Sequence, residues 1–255
     1  MSSLDNQQLN HFLSTIKTRP FITSTTIATT LSLIWIISDF QAWKSFGTGG
    51  TPPTWRGYWS MTKLRLRRIL LFGKDNLTDA SSLSSAGPSY LDSSAVPVRK
   101  GPRPPLQSRV MPQRQIPYNQ KFVEVGVEDR MRDLVATFAA KHPDILQLRP
   151  SKTEGGSTDA IYAKASLDTL NPLTKTFPIL GTEIAHVHPA ESSLHLWLTE
   201  RDAKTVIERG WAQRFPLSFV DKGWIMVYSP RTMSEVDVVE SIVKAAIRNV
   251  TGVHV

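Results

Sequence analysis

The chain alternates between uniform stretches and finely patterned ones. The first uniform stretch is FITSTTIATTLSLIWIIS, residues 21–38, which carries no charge between Arg19 and Asp39. It just reaches the length that crosses the hydrocarbon of a bilayer. Its threonines and serines lower the hydropathy, but their hydroxyls can bond back to the helix backbone. Trp35, Phe40 and Trp43 fit an interfacial aromatic belt at its C-terminal end. The pattern predicts a polar tail over 1–20 and a transmembrane anchor over 21–39. A cleaved signal peptide fits less well, because the run is long and no small-residue cleavage site follows. A buried core helix is the plain alternative.

Mixed patterns follow. WRGYWSMTKLRLRRILLFG (55–73) interleaves Trp, Leu and Ile with Arg and Lys, as in a basic helix lying on headgroups or one packed on a domain. Residues 75–95 are Ser-rich and predict a flexible linker, so that 40–95 forms a basic juxtamembrane segment plus linker. Six prolines in 96–117 exclude a regular helix and predict an extended arm.

From there to the end the periodicities describe one α+β unit over 96–255, an antiparallel sheet with packed helices. Val127, Met131, Leu134, Val135 and Phe138 fall on one face of a helix over 127–143. DAIYAKAS (159–166) reads as a strand after the turn TEGGS. TERDAKTVIERG (199–210) opens with Thr199 and Asp202 in a capping-box arrangement and stops at Gly210. WIMVYSP (224–230) is an apolar strand closed by Pro230. A last helix over 234–252 has Ser234 as its expected cap, Val238, Val239, Ile242, Val243, Ala246 and Ile247 on its apolar face, and Gly252 at its end.

The finest alternation is EIAHVHPAESSLHLWL (183–198), which holds three of the six histidines. Folded as a hairpin about PAES, it sets His186 opposite His195 and His188 opposite Ser193. Side chains two apart share a face. His186, His188, Ser193, His195 and Trp197 therefore line one side, while Ala185, Val187, Leu194, Leu196 and Leu198 line the core side. Glu183 joins the histidines as a group that could orient a ring or ligate. The polar face admits three readings: a solvated surface, a metal site of His186, His188 and His195, or a metal-free pocket in which histidine acts as base or donor.

Charge and composition narrow the partners. The net charge is +8, concentrated in two acid-free blocks. One carries Arg56, Lys63, Arg65, Arg67, Arg68 and Lys74; the other Arg99, Lys100, Arg103, Arg109, Arg114 and Lys121. Such blocks suit an anionic membrane. No nucleic-acid-binding signature accompanies them, so nucleic acid is not an expected partner. Cysteine is absent, which excludes disulfides and thiolate chemistry. Together with the basic cluster beyond the span, this favours a single-pass protein of the endoplasmic reticulum with its C-terminal domain in the cytosol. Sequons at Asn76 and Asn249 would be acceptors only in the opposite orientation.

The stretch TEIAHVHPAESSLHLWLTERDAKTVIERGWAQRFPLSF (182–219) resembles the signature of the fungal luciferase domain family. VPVRKGPRP and PQRQ are similar to its Pro-x-Arg-x-Gly-x-Arg-Pro and Arg-Gln elements, and the C-terminal strand, Pro-Arg turn and helix also match. The resemblance covers about residues 20–252 and is most specific in the central block. It implies a membrane-associated enzyme acting on a molecule like 3-hydroxyhispidin, a hydroxylated α-pyrone. It further implies O2 as co-substrate, no organic cofactor, and loss of CO2. Luminous members carry a further histidine where this chain has PAES, and a histidine where it has Phe215. The expectation is thus a non-luminous member, acting in secondary metabolism beside other biosynthetic enzymes on a small hydrophobic, enolisable polyketide-like molecule. In this scheme His186, His188 and His195 handle protons without a metal, and Arg99, Arg103 and Arg114 stabilise an enolate or peroxide anion. Ser193, Trp197 and Trp211 hold the planar substrate. A non-oxidative cyclase or isomerase, and a non-catalytic lipid or metabolite binder, are the alternatives.

Overall fold

A computed structural model describes residues 18–72, 76–107 and 114–255, with positions 8, 10 and 14. Most of the polar tail over 1–20, Lys74 and Arg109 lie outside the described residues. The chain divides into two compact units, Met1–Ser45 and Phe46–Val255.

The first unit is dominated by helix α1, Pro20–Phe46. It is longer than the apolar run that predicts it, about 40 Å at 1.5 Å per residue. Its most apolar window has a mean hydropathy of 1.5, enough to cross a membrane. Thr23 and Thr25 donate their hydroxyls to the carbonyls of Arg19 and Phe21 at 3.1 and 2.8 Å, which removes much of their polar cost.

The second unit contains α2 (Trp55–Phe72), α3 (Val127–Lys141), β1 (Leu146–Pro150), β2 (Asp159–Ala163), α4 (Leu173–Thr176), β3 (Glu183–Val187), β4 (Leu194–Trp197), α5 (Glu200–Glu208), β5 (Ala212–Arg214), β6 (Trp224–Val227) and α6 (Met233–Thr251). The six strands form one antiparallel sheet in the order β1-β2-β3-β4-β6-β5. The α+β class and the antiparallel sheet read from the sequence are what the structure shows. Strands β1 and β5 were not anticipated. Both are short, and each has only one strand neighbour.

The central hairpin has the register its alternation predicts. His186 faces His195, Ala185 faces Leu196, and the His188 N–H bonds the Ser193 carbonyl at 2.8 Å. Ala185, Val187, Leu194 and Leu196 join the apolar faces of α3 and α6 in the main core. Fully burying each leucine is worth about 1.5–3 kcal/mol. Glu183 reaches the histidine side for a different reason. Strict alternation from His186 would send it to the core face, but a bulge skips Ile184, pairing Ile161 with Ala185 and Tyr162 with Glu183.

Several local expectations change. The N-cap of α6 is Thr232, not Ser234; its hydroxyl accepts from the Glu235 N–H. Thr199 caps α5 as expected, accepting from the Asp202 N–H. Asp202 does not return the bond: its carboxylate accepts from the Ser89 hydroxyl and the Tyr90 N–H instead. The Ser-rich stretch is therefore no free linker. Leu77, Ala80 and Leu83 are buried, and Arg209 donates to the carbonyls of Ser93 and Val96. Asn249, one of the two sequons, is buried and donates to the Trp197 carbonyl at 3.1 Å, so the folded chain cannot be modified there.

Candidate functional site

His186, His188 and His195 come together as the hairpin predicts, but on a covered face. All three are buried, with ring centroids 4.9–5.4 Å apart. The loop between β1 and β2 supplies part of the cover. There Gly155 and Gly156 take left-handed φ values of +61° and +79°, turning the chain back beside Glu154. The Glu154 carboxylate lies 3.7 Å from His186 Nε2 and 3.6 Å from His188 Nε2.

Each ring is oriented through its Nδ1. His186 Nδ1 lies 2.9 Å from Glu183 Oε1 and donates to it. His195 Nδ1 donates to the Ile225 carbonyl at 3.1 Å. The Ser193 hydroxyl gives its one proton to Glu191 at 2.9 Å, so it can only accept from His188 Nδ1 at 2.8 Å. All three rings thus carry a proton on Nδ1 and turn Nε2 inward. None of the three Nε2 atoms has a hydrogen-bond partner, although all are buried.

The carboxylates around the rings are held ionised. Burial opposes charge on Glu183, but bonds from His186, Ser151 and Thr153 outweigh it and bring its pKa down to about 2. Burial likewise opposes charge on Glu191 and Glu154, yet contacts with the neighbouring imidazoles and, for Glu191, with Arg114 hold both carboxyls below the ordinary value. Burial disfavours a charged His186, yet Glu154 and Glu183 raise its pKa to about 9. His195 is driven the other way by burial and by the neighbouring histidines, so it stays neutral.

The three arginines separate. Arg114 is buried and forms a bidentate pair with Glu191, Nε to Oε1 at 2.6 Å and Nη2 to Oε2 at 2.8 Å, while Nη1 lies 3.5 Å from Glu154. Arg99 donates to the Pro102 carbonyl and the Tyr118 hydroxyl. Arg103 donates to the carbonyls of Ala212 and Ile207 at 2.5 and 2.6 Å. Arg99 and Arg103 thus fasten the proline-rich arm and do not converge on the histidines. Trp211 does the same, donating to the Pro97 carbonyl at 2.6 Å. Trp197 donates to Asp221 and packs edge-on against Phe177. The tryptophan at the site is Trp224, which lies opposite Trp197 and stacks on His195 at 5.7 Å and 18°. Ser193 stands at the site, but as a relay between His188 and Glu191.

Beside the rings lies a cavity of about 230 Å³. His186, His195 and Glu154 meet it on one side; Phe215, Leu217, Phe219, Val220 and Trp224 form apolar walls. A recess of about 470 Å³ shares several of these walls and adds Arg67, Arg68, Arg214 and Lys222. Phe215 touches His195 edge-on at 5.3 Å. The PAES turn, through Glu191, and Phe215 thus both border the site.

Sequence reasoning missed Glu154, Glu191 and Trp224. Trp224 had a signal, since it opens the apolar strand that pairs with His195's strand. The two glutamates sit in turns that carry no periodicity.

Comparison with known proteins places the histidine hairpin inside a known domain. A family model for the Luciferase domain matches residues 181–246, the segment that carries the three histidines. The luciferase of Armillaria gallica is 31% identical over 89% of this chain and 85% of its own length. That of Armillaria ostoyae is 30% identical over 99% and 97%, and that of Neonothopanus nambi 30% over 89% and 85%. No solved structure matches. With its histidine hairpin inside the matched domain and 89–99% of its length shared with these relatives, the chain belongs to the fungal luciferase family.

Proposed function

We propose that the chain is a membrane-anchored enzyme of secondary metabolism that acts on a hydrophobic, enolisable small molecule of polyketide or pyrone type. The observation that carries this is the apolar cavity whose reactive side is His186, His195 and Glu154. A neutral His195 accepts the proton of an activated C–H. The charge held on His186 by its two carboxylates stabilises the enolate oxygen that results. The carbanion then adds O2, and the proton returns to the peroxide anion. A site with this balance of charges also serves a cyclase or isomerase, in which the proton returns to a different carbon and no O2 is used.

The resemblance puts histidines of luminous members where this chain has PAES and Phe215, and both segments border the site, which favours a reaction without light. The anchor is α1, and α2 supports it. That helix exposes Trp55, Trp59, Leu66 and Ile69 among its basic residues, while its Met61 and Leu64 line the cavity. A substrate dissolved in the bilayer would reach the cavity along this helix. The cysteine-free composition favours a cytosolic domain on the endoplasmic reticulum.

The test is metabolite profiling of a strain lacking the chain, restored with wild type or His195→Ala. A compound that accumulates and is cleared only by wild type supports the enzyme. A product heavier by one O2 selects oxygenation, and an unchanged mass selects isomerisation. Equal clearance by His195→Ala would remove the proposal, and no accumulating compound would favour a binding protein.

A further inference from the structure

The inward Nε2 atoms raise a problem that the proton chemistry leaves open. Three buried imidazoles turn Nε2 towards one spot, and none of the three Nε2 atoms has a hydrogen-bond partner. A buried polar atom left so costs free energy that native structures rarely tolerate three times in one place. The Glu154 oxygen is too far away, at 3.6 and 3.7 Å, to satisfy them by hydrogen bonds.

We infer that Glu154, His186, His188 and His195 form a binding site for one divalent first-row transition-metal ion. One ligand atom from each of the four lies within 4.8 Å of the other three. Tetrahedral bonds of about 2.1 Å need separations of about 3.4 Å, so a small inward movement closes the set. The donors are three imidazole nitrogens and one carboxylate oxygen, with no thiolate. That set suits zinc, iron, cobalt, nickel or copper rather than magnesium or calcium, which favour all-oxygen shells.

The surroundings are those a metal site requires. Metal-binding imidazoles donate their other N–H to a carboxylate, carbonyl or hydroxyl, which fixes ring and tautomer. Here Glu183, the Ile225 carbonyl and Ser193 accept that bond from His186, His195 and His188 respectively. Arg114 holds the remaining carboxylate oxygen of Glu154 at 3.5 Å. Because His186, His195 and Glu154 also line the cavity, a substrate there would adjoin the ion.

The inference rests on the cavity of the proposed function and changes the roles within it. With the ion bound, the positive charge beside the substrate is the ion's, and His195 is a ligand rather than a base. It also departs from the expectation of a metal-free pocket.

The test is metal analysis of the full chain purified in detergent without chelator. Stripped protein is then titrated with zinc and with cobalt, whose visible bands report nitrogen and oxygen ligation. About one ion per chain is expected in wild type and in His142→Ala, whose imidazole lies outside the cluster. Binding should fall by more than about tenfold in His186→Ala. Should that variant fail to fold, Ser193→Ala retains all four ligands and should still weaken cobalt binding by about 10–100-fold. Stripped wild-type protein that binds zinc and cobalt no better than His186→Ala or Ser193→Ala would overturn the site. The two readings fail separately. Metal without turnover supports the site and removes the chemistry; full turnover by protein that binds no metal does the reverse.

Discussion

The two faces of the β3–β4 hairpin are equally buried and are built on opposite principles. On one, Ala185, Val187, Leu194 and Leu196 meet α3 and α6 and are held by exclusion of water. On the other, His186, His188, Ser193 and His195 are covered by loops and satisfied almost entirely by named hydrogen bonds. The exceptions are the three Nε2 atoms. A fold that needed only stability would fill this space with hydrocarbon, since buried charge networks seldom add stability over a packed apolar core. On the proposed function the second face serves chemistry, and the first holds it in place.

The contrast can be broken most severely at Arg114. Arg114→Met leaves Glu191 and Glu154 buried beside each other without their shared cation. Breaking such a pair costs about 3–5 kcal/mol, read as a lower urea midpoint of the purified chain. On the apolar face, Leu196→Ala removes a fully buried side chain and should cost about 2–5 kcal/mol. Its turnover per folded molecule should stay in the wild-type range.

Acid tests the polar face specifically. Glu183 is held at about 2, below its ordinary 4.5, so its contribution is complete above pH 4.5 and is lost as the pH falls towards 2. The loss amounts to roughly 3 kcal/mol across that window. Urea midpoints should therefore drop across it in wild type, and drop less in Glu183→Gln. The smallest effect lies away from both faces. Thr232→Ala removes the N-cap of α6 and should cost about 1 kcal/mol by the same measurement, with the site untouched.

How far the sequence reveals all this follows from the range of each signal. Period-two alternation and a turn centred on PAES place His186 opposite His195, and helical spacing places α3 and α6. These are local properties. Alternation separates two faces but does not say what covers them. The cover includes the turn bearing Glu154 and the arm bearing Arg114, and neither segment has a periodic pattern. Arg99, Arg103 and Arg114 look equivalent in sequence, and only their tertiary partners distinguish carbonyl anchors from a carboxylate clamp. Trp197 and Trp224 have the right side chain at the right parity, and packing puts only Trp224 against the rings. The Ser-rich stretch misleads because its binding to Asp202 and Arg209 depends on residues more than a hundred positions away. The bulge that delivers Glu183 is invisible to simple alternation.

The division of labour between the faces is tested most directly by one paired measurement. Clearance of the compound that accumulates without this chain would be followed for Leu196→Ala and His195→Gln, each normalised to its folded fraction. The account predicts wild-type clearance per folded molecule for Leu196→Ala and a loss of about 100-fold or more for His195→Gln. Undiminished clearance by His195→Gln would contradict it, and would make the histidine face as structural as the leucine face behind it.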